Sequence, residues 1–260
     1  MQPPDPVVFV FGATGYVGAA TVLAAARVEH VASVIAHVRP GSARAEATIE
    51  RFRGAAPTVE IDRAPLDPEA MGETLARIAP THVFLCHGTT ATRGRSEGLD
   101  DPYESIDVGL TRLVVDAAST LDPPPRVVYL SSVGTSARAR GAYLRARWRA
   151  EEVVRNSRLP YTICRAPLVN GPDRPETRRS EIALRKILDP LLVAAGALGC
   201  TGLRDRYRSM NAGETAEGLV RSGFHYMTIN RVVESDELRR VGVYERESWV
   251  PASRRDTPRF

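Results

Sequence analysis

The chain has 260 residues, 43% of them apolar and 25% charged, which fits a globular protein with one large core and excludes a disordered or fibrous chain. The net charge is only +4, and its cations, nearly all arginine with Lys186 the one lysine, are scattered, so no nucleic-acid partner is expected. Cys86, Cys164 and Cys200 form no C-x-x-C pair, and His82 and His87 fall on opposite faces of one strand, so neither a disulfide framework nor a metal site is expected.

No run approaches the ~20 apolar residues of a membrane span, and the residues from Met1 to Pro6 are polar and proline-rich. No membrane association and a reducing, cytoplasmic setting are therefore expected.

In chain order, Val7 to Phe11 is an apolar, β-branched run of the kind that forms buried parallel strands. A helix is predicted over Thr14 to Arg27 and a strand over Ser33 to Val38, closed by Arg39-Pro40-Gly41. Ala43 to Arg53 reads as a helix, Thr58 to Ile61 as a strand, and Pro68 to Ala79 as a helix with proline in its first turn. A fourth strand, His82 to Cys86, precedes a polar stretch from Gly88 to Asp101. A long amphipathic helix follows from Tyr103 to Leu121, then a strand from Arg126 to Leu130, a helix from Tyr143 to Ser157 and a strand from Tyr161 to Arg165.

Such alternation builds βαβ units, so the fold class is α/β: a Rossmann-type, doubly wound parallel sheet. Past Ala166 the alternation loosens into a small C-terminal, substrate-side region. Pro167 to Arg179 reads as a loop, Glu181 to Ala197 and Glu214 to Ser222 as helices, Arg231 to Glu234 as a late strand and Asp236 to Arg240 as a closing helix. The expected organisation is a single dinucleotide-binding domain over residues 1–243, with substrate-side elements mainly within 167–230. An arginine-rich tail, residues 244–260, is expected to be partly disordered.

Gly12-Ala13-Thr14-Gly15-Tyr16-Val17-Gly18 carries G-x-x-G-x-x-G spacing directly between the first strand and its helix. There the first glycine allows the sharp turn, the second lets backbone approach a pyrophosphate, and the third lets helix and strand pack closely. The helix N-terminus supplies N–H groups and positive dipole. Gly12, Thr14, Gly15, Tyr16, Val17 and Gly18 are the expected cofactor-binding residues. Where NAD enzymes carry an acid after the second strand, this chain has Arg39, which suits a 2′-phosphate; NADP(H) is the expected cofactor, with NAD(H) the alternative.

The fifth strand runs into Ser131 and Ser132, and Tyr143 follows Ser132 by eleven residues, with Arg147 one helical turn further on the same face. Here the chain resembles the short-chain dehydrogenases/reductases, which join such a glycine turn to a serine and a Y-x-x-x-K helix. The resemblance implies hydride transfer between nicotinamide and a carbonyl or carbinol carbon. Ser132, Tyr143 and Arg147 would then be the catalytic residues, Ser131 the fallback serine and cofactor neighbour. Arg147 departs from the family lysine, keeping the charge in a planar, bulkier group. The alternative reading makes Tyr143 a packed aromatic and Arg147 a solvated cation.

Phe84 to Thr90, Ile106-Asp107, the stretch from Arg165 through Arg178 and the ending from Asn230 to Leu238 narrow the resemblance. They are similar to atypical members of the Tat-interacting-protein and NmrA-like kind. That likeness implies cofactor contacts at Gly88, Thr89, Arg165 and Pro167. Three functions are open at this point: an NAD(P)H-dependent oxidoreductase of a small carbonyl or alcohol, a non-catalytic cofactor-binding regulator, and a nucleotide-sugar epimerase or dehydratase. The expected partner is a small-molecule substrate, and a homodimer is compatible with the apolar helix faces.

Overall fold

The computed structural model describes residues 5–56, 58–90, 94, 98–171 and 201–241. Strands β1 (Val7–Phe11), β2 (Ser33–His37), β3 (Val59–Asp62), β4 (His82–Leu85), β5 (Arg126–Ser132), β6 (Tyr161–Ala166) and β7 (Arg231–Glu234) pair in parallel throughout. They form one seven-stranded sheet in the order β3-β2-β1-β4-β5-β6-β7. The chain winds outward from β1 to β3, then crosses back to lay β4 on the other side of β1. Between β1 and β4 the winding reverses, which leaves a crevice at their carboxyl ends.

The described helices are α1 (Tyr16–Ala25), α2 (Ala45–Ala55), α3 (Pro68–Ile78), a π-helix (Tyr103–Gly109) that continues into α4 (Leu110–Ala118), α5 (Ala142–Asn156), α6 (Thr201–Tyr207), α7 (Ala212–Phe224) and α8 (Ser235–Leu238). Successive strand residues face opposite sides, so each strand feeds two cores. Val8, Val10, Phe84, Val128, Cys164 and Val233 pack with Val22 of α1 and with Leu219 and Phe224 of α7. Phe9, Phe11, Ile35, Val83, Tyr129 and Ile163 pack with Met71 of α3, Val114 of α4 and Val154 of α5. Each fully buried side chain of this size contributes about 1.5–3 kcal/mol.

Local chemistry fixes the ends of these helices. Asp67 accepts the Ala70 N–H at 2.9 Å with Pro68 at the first helical position of α3, and Asn211 and Glu214 cap α7 reciprocally. The expected α-helix from Tyr103 onward is instead wound as π for its first seven residues. Periodicity registers the apolar stripe; it is blind to Asp107, a fully buried carboxylate within the widened turn. Strand β5 runs two residues past its expected end, so Ser131 and Ser132 lie in the ladder opposite Arg165 and Ala166. Helix α6 was not expected. The predicted helix from Glu181 to Ala197, Lys186, Cys200 and the tail from residue 244 lie outside the described residues. No helix among the described residues is long and apolar enough to cross a membrane.

Candidate active site

The crevice between β1 and β4 is a cleft of about 630 Å³, open to solvent. It brings together six of the expected cofactor residues: Gly12, Thr14, Gly15, Arg39, Gly88 and Thr89. Gly12 has φ +86°, and a Cβ there would sit 2.7 Å from the His87 nitrogen, so both the turn and the close approach of the β4 end require glycine. A Cβ on Gly18 would overlap the Gly12 carbonyl, which is the helix–strand contact expected of the third glycine. Helix α1 starts at this turn with no capping side chain and no acid in its first turn. Its N–H groups and dipole are therefore available to an anion.

Leu66, Ile106 and Leu110 give the cleft an apolar wall, and His37 and Phe11 line it from the sheet. A nicotinamide dinucleotide fits this chemistry: an uncapped helix terminus for its pyrophosphate and an apolar wall for an aromatic base. Tyr16 and Val17 stand beside the turn in α1. The Tyr16 hydroxyl donates to the Asn170 carbonyl at 3.4 Å, tying the turn to the segment after β6, and Val17 packs on the core.

The tyrosine end of the site is built by α5 against β5 and the π-helix. Arg147 is buried, so the reading of a solvated cation is corrected. Its Nε–H donates to the Tyr143 hydroxyl oxygen at 3.2 Å. Nη1 donates to the Tyr129 hydroxyl at 2.9 Å and the Leu130 carbonyl at 3.0 Å, and Nη2 to the His87 carbonyl at 3.3 Å. Asp107 Oδ1 is 3.0 Å from Nε but off its N–H axis, so the pair is an ionic contact without a hydrogen bond. The guanidinium fills the space over Gly88, where a Cβ would overlap Nη2. A planar fork satisfies these separated acceptors; a lysine ammonium would not span them.

Burial opposes the charge of Arg147, but Tyr129, Tyr143 and Asp107 outweigh it and hold the guanidinium protonated. Burial raises the Asp107 carboxyl, with Arg147 pulling it back down. Burial and then the Arg147 charge lower His87 to about 3, which leaves it neutral, its Nε2 3.1 Å from the Thr111 hydroxyl. Burial pushes the Cys86 thiol at the cleft wall up to about 12, so it is inert as a nucleophile.

Other expected residues have different surroundings. Ser131 donates to Glu151 of α5 at 2.5 Å. Its neighbour Ser132 faces the other side of the strand, 3.5 Å from the Val133 carbonyl, and no hydrogen bond among the described residues joins it to Tyr143. Arg165 is held by Glu151 at 2.7 Å and Glu234 at 3.0 Å, and Pro167 is buried just beyond β6. Trp148 packs under Arg155 with 4.8 Å between guanidinium carbon and ring centre. Sequence reasoning missed Leu66, Tyr129, His37 and Asp62. For the last two a signal was present: each is a polar residue ending an otherwise apolar strand.

The parallel sheet, the reversal between β1 and β4 and the glycine turn define a Rossmann-type dinucleotide-binding fold. Residues 8–205 match the NAD dependent epimerase/dehydratase family, and the chain belongs to that family. This supports the broader expectation of a short-chain dehydrogenase-type, nicotinamide-dependent enzyme. No curated protein matches the sequence.

Among solved structures, the terminal R domain of the myxalamid PKS-NRPS biosynthetic pathway is similar at 18% identity and TM-score 0.63, over 90% of this chain and 67% of that one. UDP-glucuronic acid 4-epimerase from Bacillus cereus, in complex with UDP-glucuronic acid and NAD, is 15% identical with TM-score 0.62, over 88% and 77%. Pal from Bacillus thuringiensis is 13% identical with TM-score 0.64, over 90% and 81%. At these identities the likeness establishes the fold.

Proposed function

We propose that this protein is an oxidoreductase, preferring NADP(H), that acts on a small carbonyl or alcohol substrate beside Tyr143. The observation that carries this reading is the continuity from the cleft to the tyrosine. Arg147 donates at one end to the His87 carbonyl on the cleft wall and at Nε to the Tyr143 hydroxyl. The bound nicotinamide would supply or accept a hydride. Gly12, Thr14, Gly15 and the first turn of α1 would hold the pyrophosphate, and Leu66, Ile106 and Leu110 the adenine.

Because the Tyr143 oxygen accepts from a permanently charged group, its own O–H is directed elsewhere and can exchange a proton with a substrate oxygen. By its spacing from Tyr143, Ser132 would be the second donor to that oxygen, with Ser131 the fallback. Arg39, half-buried in the cleft wall, supports the preference for a 2′-phosphate.

Family membership favours a second reading, epimerisation or dehydration of a nucleotide sugar, in which the hydride returns to the substrate. Rapid mixing of the NADPH-loaded protein with a panel of carbonyl compounds separates the two. Stoichiometric loss of nicotinamide absorbance at 340 nm is expected. Conversion of a UDP-sugar with no net change at 340 nm would select the epimerase reading instead.

A further inference from the structure

Two contacts about one turn apart dock the π-helix on α5. Asp107 meets Arg147, and four residues earlier Tyr103 meets Tyr143, with ring centroids 5.7 Å apart and planes at 56°. Glu104 pairs with Arg149 at 2.6 Å, and Asp101 accepts the Glu104 N–H at 3.0 Å, which fixes the turn that carries Tyr103. Tyr143, by contrast, is weakly held by its own helix. It is the second residue of α5, whose first turn has no capping side chain. Arg147 restrains it through one hydrogen bond to its hydroxyl at 3.2 Å, with the guanidinium carbon 5.3 Å from the ring centre. One hydrogen bond limits where the oxygen lies but leaves the side chain its torsions. Both tyrosines are half-buried, and the Tyr103 hydroxyl makes no hydrogen bond among the described residues. What Tyr103 brings to Tyr143 is therefore its ring.

We infer that Tyr103 is a positioning residue for the reaction: its ring, set by the π-helix, holds the Tyr143 ring beside Arg147 so that the Tyr143 hydroxyl stays aimed at the substrate oxygen. This rests on the oxidoreductase reading above. Aromatic pairs at this separation favour a defined mutual orientation over free rotation, and a small misplacement of a reacting group costs rate rather than affinity. The same short segment serves each part of the site. Ile106 lines the cofactor cleft, Asp107 supplies the counter-charge of Arg147, and Tyr103 supplies an aromatic wall for Tyr143. Tyr103 does not line the cleft itself, so its effect on turnover passes through Tyr143.

Steady-state oxidation of NADPH by the full chain with a carbonyl panel, para-nitrobenzaldehyde and phenanthrenequinone among it, tests this role. Tyr103→Leu keeps apolar bulk and removes the ring. It should lower kcat by about tenfold, with KM and NADPH affinity changed by less than about twofold. Tyr103→Phe keeps the ring and should retain kcat within about twofold. In a Tyr143→Phe background the hydroxyl to be positioned is gone, and Tyr103→Leu should change the residual turnover by less than about twofold. Equal losses in both backgrounds, parental kcat in Tyr103→Leu, or a Tyr103→Phe variant as slow as Tyr103→Leu overturns the role of Tyr103 and leaves the oxidoreductase reading intact. Tyr103→Met serves if Tyr103→Leu fails to fold; failure of both makes Tyr103 a structural residue and overturns its positioning role. Turnover in Tyr143→Phe equal to the parent's, or no NADPH oxidation with any carbonyl compound of the panel, overturns the oxidoreductase reading and the role of Tyr103 with it.

Discussion

The two ends of the candidate site differ in how far their polar groups are already committed. Around Gly12 the cleft presents an uncapped helix terminus and an apolar wall, open to solvent. Around Tyr143 the Arg147 fork already reaches Tyr143, Tyr129, Leu130 and His87 with Asp107 alongside, and Asp107 Oδ1 and His87 Nδ1 are buried there without hydrogen bonds among the described residues. Substituting arginine for the family lysine therefore changes more than one side chain. A bulkier cation has been built into the core with a buried carboxylate and a widened helical turn to match. One end is an open cleft around an uncapped helix terminus; the other is already cross-linked by the Arg147 fork.

The sharpest way to break this contrast is Arg147→Met, which leaves Asp107 buried without its counter-charge. Urea unfolding should register a loss of about 3–5 kcal/mol. Combining it with Asp107→Leu should recover most of the loss, since replacing both charges is often neutral. A single variant as stable as the parent would mean that the tyrosine end is not preassembled.

Tyr143→Phe tests the chemistry at that end. Turnover should fall by about 10²–10⁴-fold while NADPH titration gives unchanged affinity; unchanged turnover would remove Tyr143 from the mechanism. At the other end, Gly12→Ala forces a side chain onto positive φ and against His87. It should cost about 2–3 kcal/mol and eliminate dinucleotide binding measured by fluorescence. Arg39→Asp should weaken NADPH by about tenfold or more and spare NADH in the same titration.

The smallest effect is on acid stability. The Asp62 carboxyl is lowered, so its contribution is complete above the ordinary carboxylate range, near pH 4, and is lost as pH falls through its lower native value. Thermal midpoints below pH 4 should decline less steeply in Asp62→Asn than in the parent.

The glycine turn was legible in the sequence because its requirements are local: a sharp turn, a close backbone approach and a helix N-terminus within seven residues. Strand–helix alternation gave the fold class, and the four-residue spacing of Tyr143 and Arg147 gave their shared face. Tertiary structure alone decided what those side chains touch. Arg147 meets His87 and Asp107 only because β4 and the π-helix lie against β5 and α5. Arg165, expected beside the cofactor, is bound by Glu151 and Glu234 because β6 lies between α5 and β7. Ser131 and Ser132 look equivalent in the sequence, yet the strand turns them to opposite faces, one towards Glu151. His37 and Asp62 meet only through the register of β2 with β3. Periodicity records which residues share a face; the order in which strands neighbour one another determines which polar groups find partners.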